Sequence, residues 1–176
     1  MTWKSHMAIA AAVTLPFNPA VLPASILGST APDWTEWILK FFGVTVQHRG
    51  ATHYLIVPLF IILCSLLFDY KSVLYWFGIG YLSHWFADSL TISGVPLSPW
   101  DNNRIHFFGG KLRTGELMEY IIAFSLLAIS VTIAKPLLNL SFEKNSFNVY
   151  SMDYEKLNDE KIIDNSEYLK NRFKFF

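Results

Sequence analysis

Residues 73–92 read VLYWFGIGYLSHWFADSLTI, an apolar run interrupted by two ionisable side chains, His84 and Asp88, both in its second half. The run is close to the ~20 residues a helix needs to cross a hydrocarbon core of about 30 Å. Backbone groups in lipid must be satisfied within the segment, so a run of this length is expected to be helical. Two more runs have the same character. Ala51–Phe68 (ATHYLIVPLFIILCSLLF) is uncharged unless His53 protonates, and Leu117–Ala134 (LMEYIIAFSLLAISVTIA) has one acid, Glu119, near its start. A core helix of a soluble all-α protein would look similar. Composition argues for the membrane: 52% of the 176 residues are hydrophobic and only 16% charged, against about a quarter charged in soluble domains.

The charges are unevenly placed. From Lys135 onward the chain carries seven basic and seven acidic residues, leaving seven of each for the first 134 positions. This predicts a membrane-embedded domain over 1–136 and a polar C-terminal tail over 137–176. Net charge is zero and no basic cluster stands out, so no nucleic-acid partner is expected. Oligomeric state is not encoded in any pattern we recognise. The single cysteine, Cys64, lies inside an apolar run and excludes an internal disulfide.

Residues 7–27 are apolar but contain Pro16, Pro19 and Pro23, with Asn18 between the first two. Proline removes a helical hydrogen bond and clashes with the preceding turn, so Leu15–Pro19 reads as a turn between two apolar arms. The expectation is an all-α polytopic membrane protein: three spans, preceded by a proline-broken re-entrant or short helical hairpin. A straight first span or a cleaved signal peptide are the alternatives for this segment. Residues 69–72 make a tight turn, which sets the 28–50 and 93–116 loops on one side of the membrane and the tail on the other.

That topology gathers the rare polar residues. His6 precedes the first arm and Asp33 follows the second, in Ala31-Pro32-Asp33. His48 and His53 lie where a loop enters a span, His84 and Asp88 in the half of their span nearest the 93–116 loop, and Glu119 just after that loop. All seven fall toward one membrane face. His84 and Asp88 are four apart and so share a helix face. Ionisable groups inside a span usually pair, bind an ion or line a polar cavity; a His–Asp pair that only fixes a helix interface is the competing reading. Asp33 alone would suit a helix cap, Glu119 alone a helix dipole, and Arg49 alone a positive-inside charge. His106 has no evident partner.

Histidine nitrogens with carboxylate oxygens suit zinc, with manganese or iron as alternatives, rather than magnesium or calcium. Seven candidates exceed the four that close one tetrahedral zinc, so two or three bridged ions are expected. Such a centre can activate water for attack on an ester or phosphoester. His6, Asp33, His48, His53, His84, Asp88 and Glu119 are the candidate ligands. Asp88 and Glu119 are also catalytic candidates, with Arg49 as a cation for an anionic substrate, its planar fork pairing with two oxygens. The site would open at membrane depth, which points to a lipid-like or amphiphilic substrate and the bilayer as partner. An ion pathway or a non-catalytic adaptor would use the same residues differently, although the internal repeats usual in transporters are absent.

The ordered set of His6, Leu27-Gly28 followed by Pro32-Asp33, His48-Arg49-Gly50-x-Thr52-His53, Gly80-Tyr81-Leu82-Ser83-His84-x-x-x-Asp88, Gly94-Val95-Pro96-Leu97 with Pro99, and Gly115 leading to Glu119 resembles the YdjM-like bacterial inner-membrane proteins. The resemblance covers roughly residues 1 to 125. It implies a metal-dependent hydrolase in the bacterial inner membrane, multi-pass. The family usually has a second Asp two residues after its Pro-Asp step; here that position is Thr35, with Glu36 beside it. The histidines and the His-x-x-x-Asp pair are also distantly similar to zinc-dependent bacterial phospholipase C, a soluble helical enzyme, which suggests phosphoester chemistry by analogy only.

Overall fold

The computed structural model describes residues 1–45, 49–68, 72–100, 103–143, 158, 161 and 164–166. The chain divides into two compact units, Met1–Ala134 and Lys135–Phe176. In the second unit, Ser166 Oγ donates to Asp164 Oδ2 over 2.7 Å.

The proline-rich segment turns the chain back. Helix α1 (Trp3–Thr14) ends where Asn18 N bonds the Thr14 carbonyl at 3.0 Å, and a 3-10 turn over Pro19–Val21 leads into α2 (Leu22–Phe41). Asn18 Oδ1 accepts from Ala20 N, closing the turn. The arms form a helical hairpin, stitched by a 2.7 Å hydroxyl bond between Thr14 and Ser25.

Helix α2 corrects one expectation. The stretch from Gly28 was read as loop, yet the helix runs through Pro32 to Phe41. A proline costs the helix one N–H and leaves the Gly28 carbonyl without its usual partner, but does not end it here. Asp33 is therefore a helical residue, not a cap.

Helix α3 (Ile56–Phe68) starts later than its apolar run, because Ala51–His53 form a 3-10 turn and Tyr54 is extended (ψ 137°). Helix α4 spans Val73–Ser89. Beyond it, two short antiparallel strands, β1 (Val95–Pro96) and β2 (Arg104–Ile105), pair Val95 with Ile105, and Thr91 bridges Leu112. Trp85 Nε1 donates to the Pro96 carbonyl at 3.0 Å and holds this hairpin on α4. Helix α5 spans Leu117–Glu143. Among the described residues, only its Leu117–Pro136 portion is both long and apolar enough to cross a membrane by itself. The other two runs expected to span are shorter as helices, since turning His53 inward shortens α3 and α4 ends where the chain folds toward Leu112.

The packing follows residue size. Helix α2 lies against α4, α3 against α4, and α1 against both α2 and α4. At the α2–α4 crossing, a Cβ on Gly28 would sit 2.0 Å from the Phe77 carbonyl oxygen, and one on Gly80 would sit 1.9 Å from that of Ser25. The two backbones touch, so only glycine fits. Burial is unusual for a water-soluble chain: Ser5, His6, Ser25, His84, Asp88 and Glu119 are inside, while Leu63, Leu66, Leu67 and Ile133 are outside.

Candidate metal centre

The crossing places the polar face of α4 against α2. His84 Nδ1 donates to the Ser29 carbonyl at 2.6 Å. That bond holds the ring proton on Nδ1 and leaves Nε2 as a lone pair. His53 arrives from the 3-10 turn, which the Tyr81 hydroxyl anchors by donating to the Thr52 carbonyl. Its Nδ1 faces Glu36 Oε1 at 3.3 Å and Thr52 Oγ1 at 3.0 Å. A proton on either His53 nitrogen has an acceptor, Glu36 or Thr52 beside Nδ1 and Asp33 beside Nε2, and Nε2 also faces His84.

These two Nε2 atoms are 3.2 Å apart. Two lone pairs facing at that distance repel unless a proton or a cation lies between them. Asp33 Oδ1 is 3.5 Å from His53 Nε2, and Asp88 Oδ2 is 3.6 Å from His84 Nε2. His6 stacks on His84 with ring centroids 3.7 Å apart, and its Nε2 lies 3.4 Å from Asp88 Oδ1. Both His6 ring nitrogens are buried without a hydrogen bond. Burial, reinforced by the neighbouring His84, pushes its pKa down to about 3, so His6 is a neutral imidazole. Desolvation raises the Asp33 carboxyl, but the bond from His53 and the field of His84 outweigh it and hold it below the usual range. Asp33 is therefore a carboxylate.

Two ligand groups result, His6–His84–Asp88 and Asp33–His53–His84, each with donor atoms within 4.8 Å of one another. They share His84. Tetrahedral zinc with bonds of about 2.0–2.2 Å has ligand–ligand edges of roughly 3.3–3.6 Å. The observed donor spacings of 3.2, 3.4, 3.5 and 3.6 Å match that size. The carboxylate behind His53 and the carbonyl behind His84 are the outer partners that metal-binding histidines usually have. Removing the charge of one of them has a measurable cost: Glu36→Gln is expected to weaken metal affinity about 10- to 100-fold, read by competition with a chromogenic chelator.

Arg49 holds the centre from the other side. Its Nε and Nη2 each lie 3.1 Å from an Asp88 oxygen, Nη1 donates to Thr91 Oγ1 at 2.8 Å, and its backbone N–H donates to Glu36 at 3.0 Å. Its φ of 58° is left-handed, a strained setting for a side-chain-bearing residue. The chain therefore bends at Arg49 itself, just before the 3-10 turn that carries His53.

Sequence reasoning thus placed His6, Asp33, His53, His84, Asp88 and Arg49 together. His48 lies outside the described residues. Glu119 belongs elsewhere: its Oε1 accepts from Thr2 N (2.7 Å) and Thr2 Oγ1 (2.8 Å), and its Oε2 from Gly115 N (2.8 Å). It ties the start of α1 to α5 and joins neither ligand group, which corrects its assignment as ligand and catalytic residue. Glu119→Ala is expected to lower stability by about 2–3 kcal/mol, the cost of orphaning buried donors, while metal content per chain stays unchanged. Thermal unfolding with elemental analysis of the same sample checks both halves. His106 is also apart, donating through Nδ1 to the Thr91 carbonyl at 3.3 Å. Glu36 was missed as a member of the centre. Read as helix, α2 would have shown it, since Asp33 and Glu36 are three apart and share a face.

A cavity of about 290 Å³ opens beside the centre, lined by Met1, Trp3, Asp33, Glu36, Trp37, Arg49 and Asp88. Residues 1–142 match the family described as YdjM inner membrane protein. Among curated proteins and solved structures, none matches the chain.

Proposed function

The chain belongs to the YdjM family of inner membrane proteins, and from that premise we propose that it is a multi-pass membrane hydrolase dependent on a divalent transition metal. The observation that carries the metal is the convergence of buried donors: His53 Nε2 and His84 Nε2 lie 3.2 Å apart, with an Asp33 oxygen 3.5 Å from the first and an Asp88 oxygen 3.6 Å from the second. Zinc fits the donor set of three imidazoles and two carboxylates, with manganese or iron as alternatives. Because His84 has one lone pair to give and both ligand groups use it, we favour one ion over the two or three expected from a ligand count.

A bound ion of this kind supplies Lewis acidity and lowers the pKa of water to near neutrality. The chain's residues arrange the rest. Arg49 fixes Asp88 through two bonds and also lines the cavity, so an anionic oxygen of an ester or phosphoester would meet its guanidinium there. Asp33, which lines the cavity, would hold the ion together with His53 and His84 at the cavity wall. The outward apolar side chains of α3, with Leu66 and Leu67 both 70% exposed, support placing that helix in lipid beside α5.

The test is elemental analysis of detergent-purified wild type and Asp88→Asn, run beside a panel of ester and phosphoester substrates and a liposome flux assay. We expect about one metal ion per chain, a sharp loss in the variant, and metal-dependent turnover of a panel member. Metal-free wild type, or flux without hydrolysis, would sink the proposal.

A further inference from the structure

The cavity has an aromatic wall that neither the ligand groups nor Arg49 explains. Trp3 from α1 and Trp37 from α2 meet there with ring centroids 5.4 Å apart. Both remain solvent-open, at 42% and 66% exposure. Trp37 and Phe41 are four apart on α2 and share a face, and Phe41 (86% exposed) meets Phe42 (74%) edge to face at 5.5 Å. Four exposed aromatic rings therefore run outward from the cavity mouth. From Asp33 to Phe41 the helix climbs ~12 Å at 1.5 Å per residue.

Exposed apolar surface of this extent marks a contact that the isolated chain lacks. Its inner end settles which contact. The track begins on the cavity wall beside Asp33 and Arg49, so its occupant also reaches the metal centre. A protein partner would cover the outer rings but has no reason to enter a 290 Å³ cavity floored by carboxylates and a guanidinium. An amphiphile meets both ends.

We infer that Trp3, Trp37 and Phe41 form a subsite for a single hydrocarbon chain, and that the substrate is a long-chain ester or phosphoester with its polar group at Arg49 and its chain along this track. The inference rests on the hydrolase reading for the polar end and on the aromatic track for the apolar end.

A non-hydrolysable alkylphosphonate carrying a diazirine in its chain tests it. Full-length protein in phosphatidylethanolamine–phosphatidylglycerol vesicles is photolysed with the probe, and adducts are mapped by mass spectrometry. Adducts are expected at Trp37 and Phe41 that excess unlabelled alkylphosphonate removes and methylphosphonate does not. Trp37→Ala should raise the competing concentration by about tenfold, the factor for losing part of a buried indole contact. Phe41→Ser, at a fully open position, gives a second reading that folding cannot confound. Adducts at Trp37 and Phe41 that do not compete, and match those on outward residues of α5, would mean that bulk lipid covers the face and would overturn the subsite. Absence of adducts there would overturn it too. Metal analysis of the same preparation separates the two ideas. Metal without competable labelling removes the chain subsite alone, and competable labelling without metal keeps the subsite while removing the hydrolase.

Discussion

His84→Ala is expected to abolish transition-metal binding, dropping affinity by more than about a hundredfold, because even outer partners of metal-binding histidines cost roughly 10- to 100-fold when lost. Its Nε2 is the one donor atom common to both ligand groups, so neither group can compensate. Losing His6 or His53 leaves one group of three short by a member and should give partial loss. The order His84 below His53 and His6 is thus a specific signature of a shared ligand. Two independent ions would instead make the His6 and His53 losses additive and leave each single variant with about half its metal. His106→Ala is the control, since its ring faces the Thr91 carbonyl and not the centre. Mass-spectrometric metal content with circular dichroism on the same samples reads the series. Equal metal in wild type and His84→Ala would refute the assignment.

How much of this centre was legible in the sequence depended on the kind of spacing involved. His84 and Asp88 declare themselves, because residues four apart on a helix meet whatever the tertiary fold. His6 could be placed because Pro16, Pro19 and Asn18 announce a reversal that brings the start of α1 back to the α2 end of the hairpin. Asp33 was placed near the centre but wrongly in structure: residues 28–50 were read as a loop, whereas the helix runs on through Pro32 to Phe41. Glu36 was undervalued for that same reason. Glu119 misled because one-dimensional proximity to a functional face says nothing about which partner saturates a carboxylate. Three donors, two of them backbone amides, have no sequence signature. At α3 the helix is shorter than the apolar run, because a run of apolar residues does not show where the helix starts, and here the turn that aims His53 inward takes its first residues.

Gly80→Ala is expected to unfold or severely destabilise the protein, by about 3 kcal/mol or more, and to take the metal centre with it. The added Cβ would lie 1.9 Å from the Ser25 carbonyl oxygen and 2.9 Å from its Cα, and two packed backbones cannot yield as a side chain can. Overpacking of a flexible core site costs about 1–3 kcal/mol; against fixed backbone the cost belongs at or above that range. Gly28→Ala meets the Phe77 carbonyl at 2.0 Å and should behave alike. Gly78→Ala provides the graded comparison on the same helix, because its nearest obstacle is Ile62 Cγ1 at 2.7 Å, a side-chain atom that can rotate away. It should fall within the ordinary range. The link to function is geometric: the contacts of Gly28 with the Phe77 backbone and of Gly80 with the Ser25 backbone set the α2–α4 separation over which His84 Nδ1 reaches the Ser29 carbonyl, and that bond fixes the tautomer on which metal binding depends. Prying the helices apart should therefore lower metal affinity even in whatever folded protein survives. Thermal unfolding in detergent, with metal content measured on the folded fraction, would show this. A Gly80→Ala protein as stable as Gly78→Ala, with its metal intact, would mean that the two helices do not cross at backbone contact.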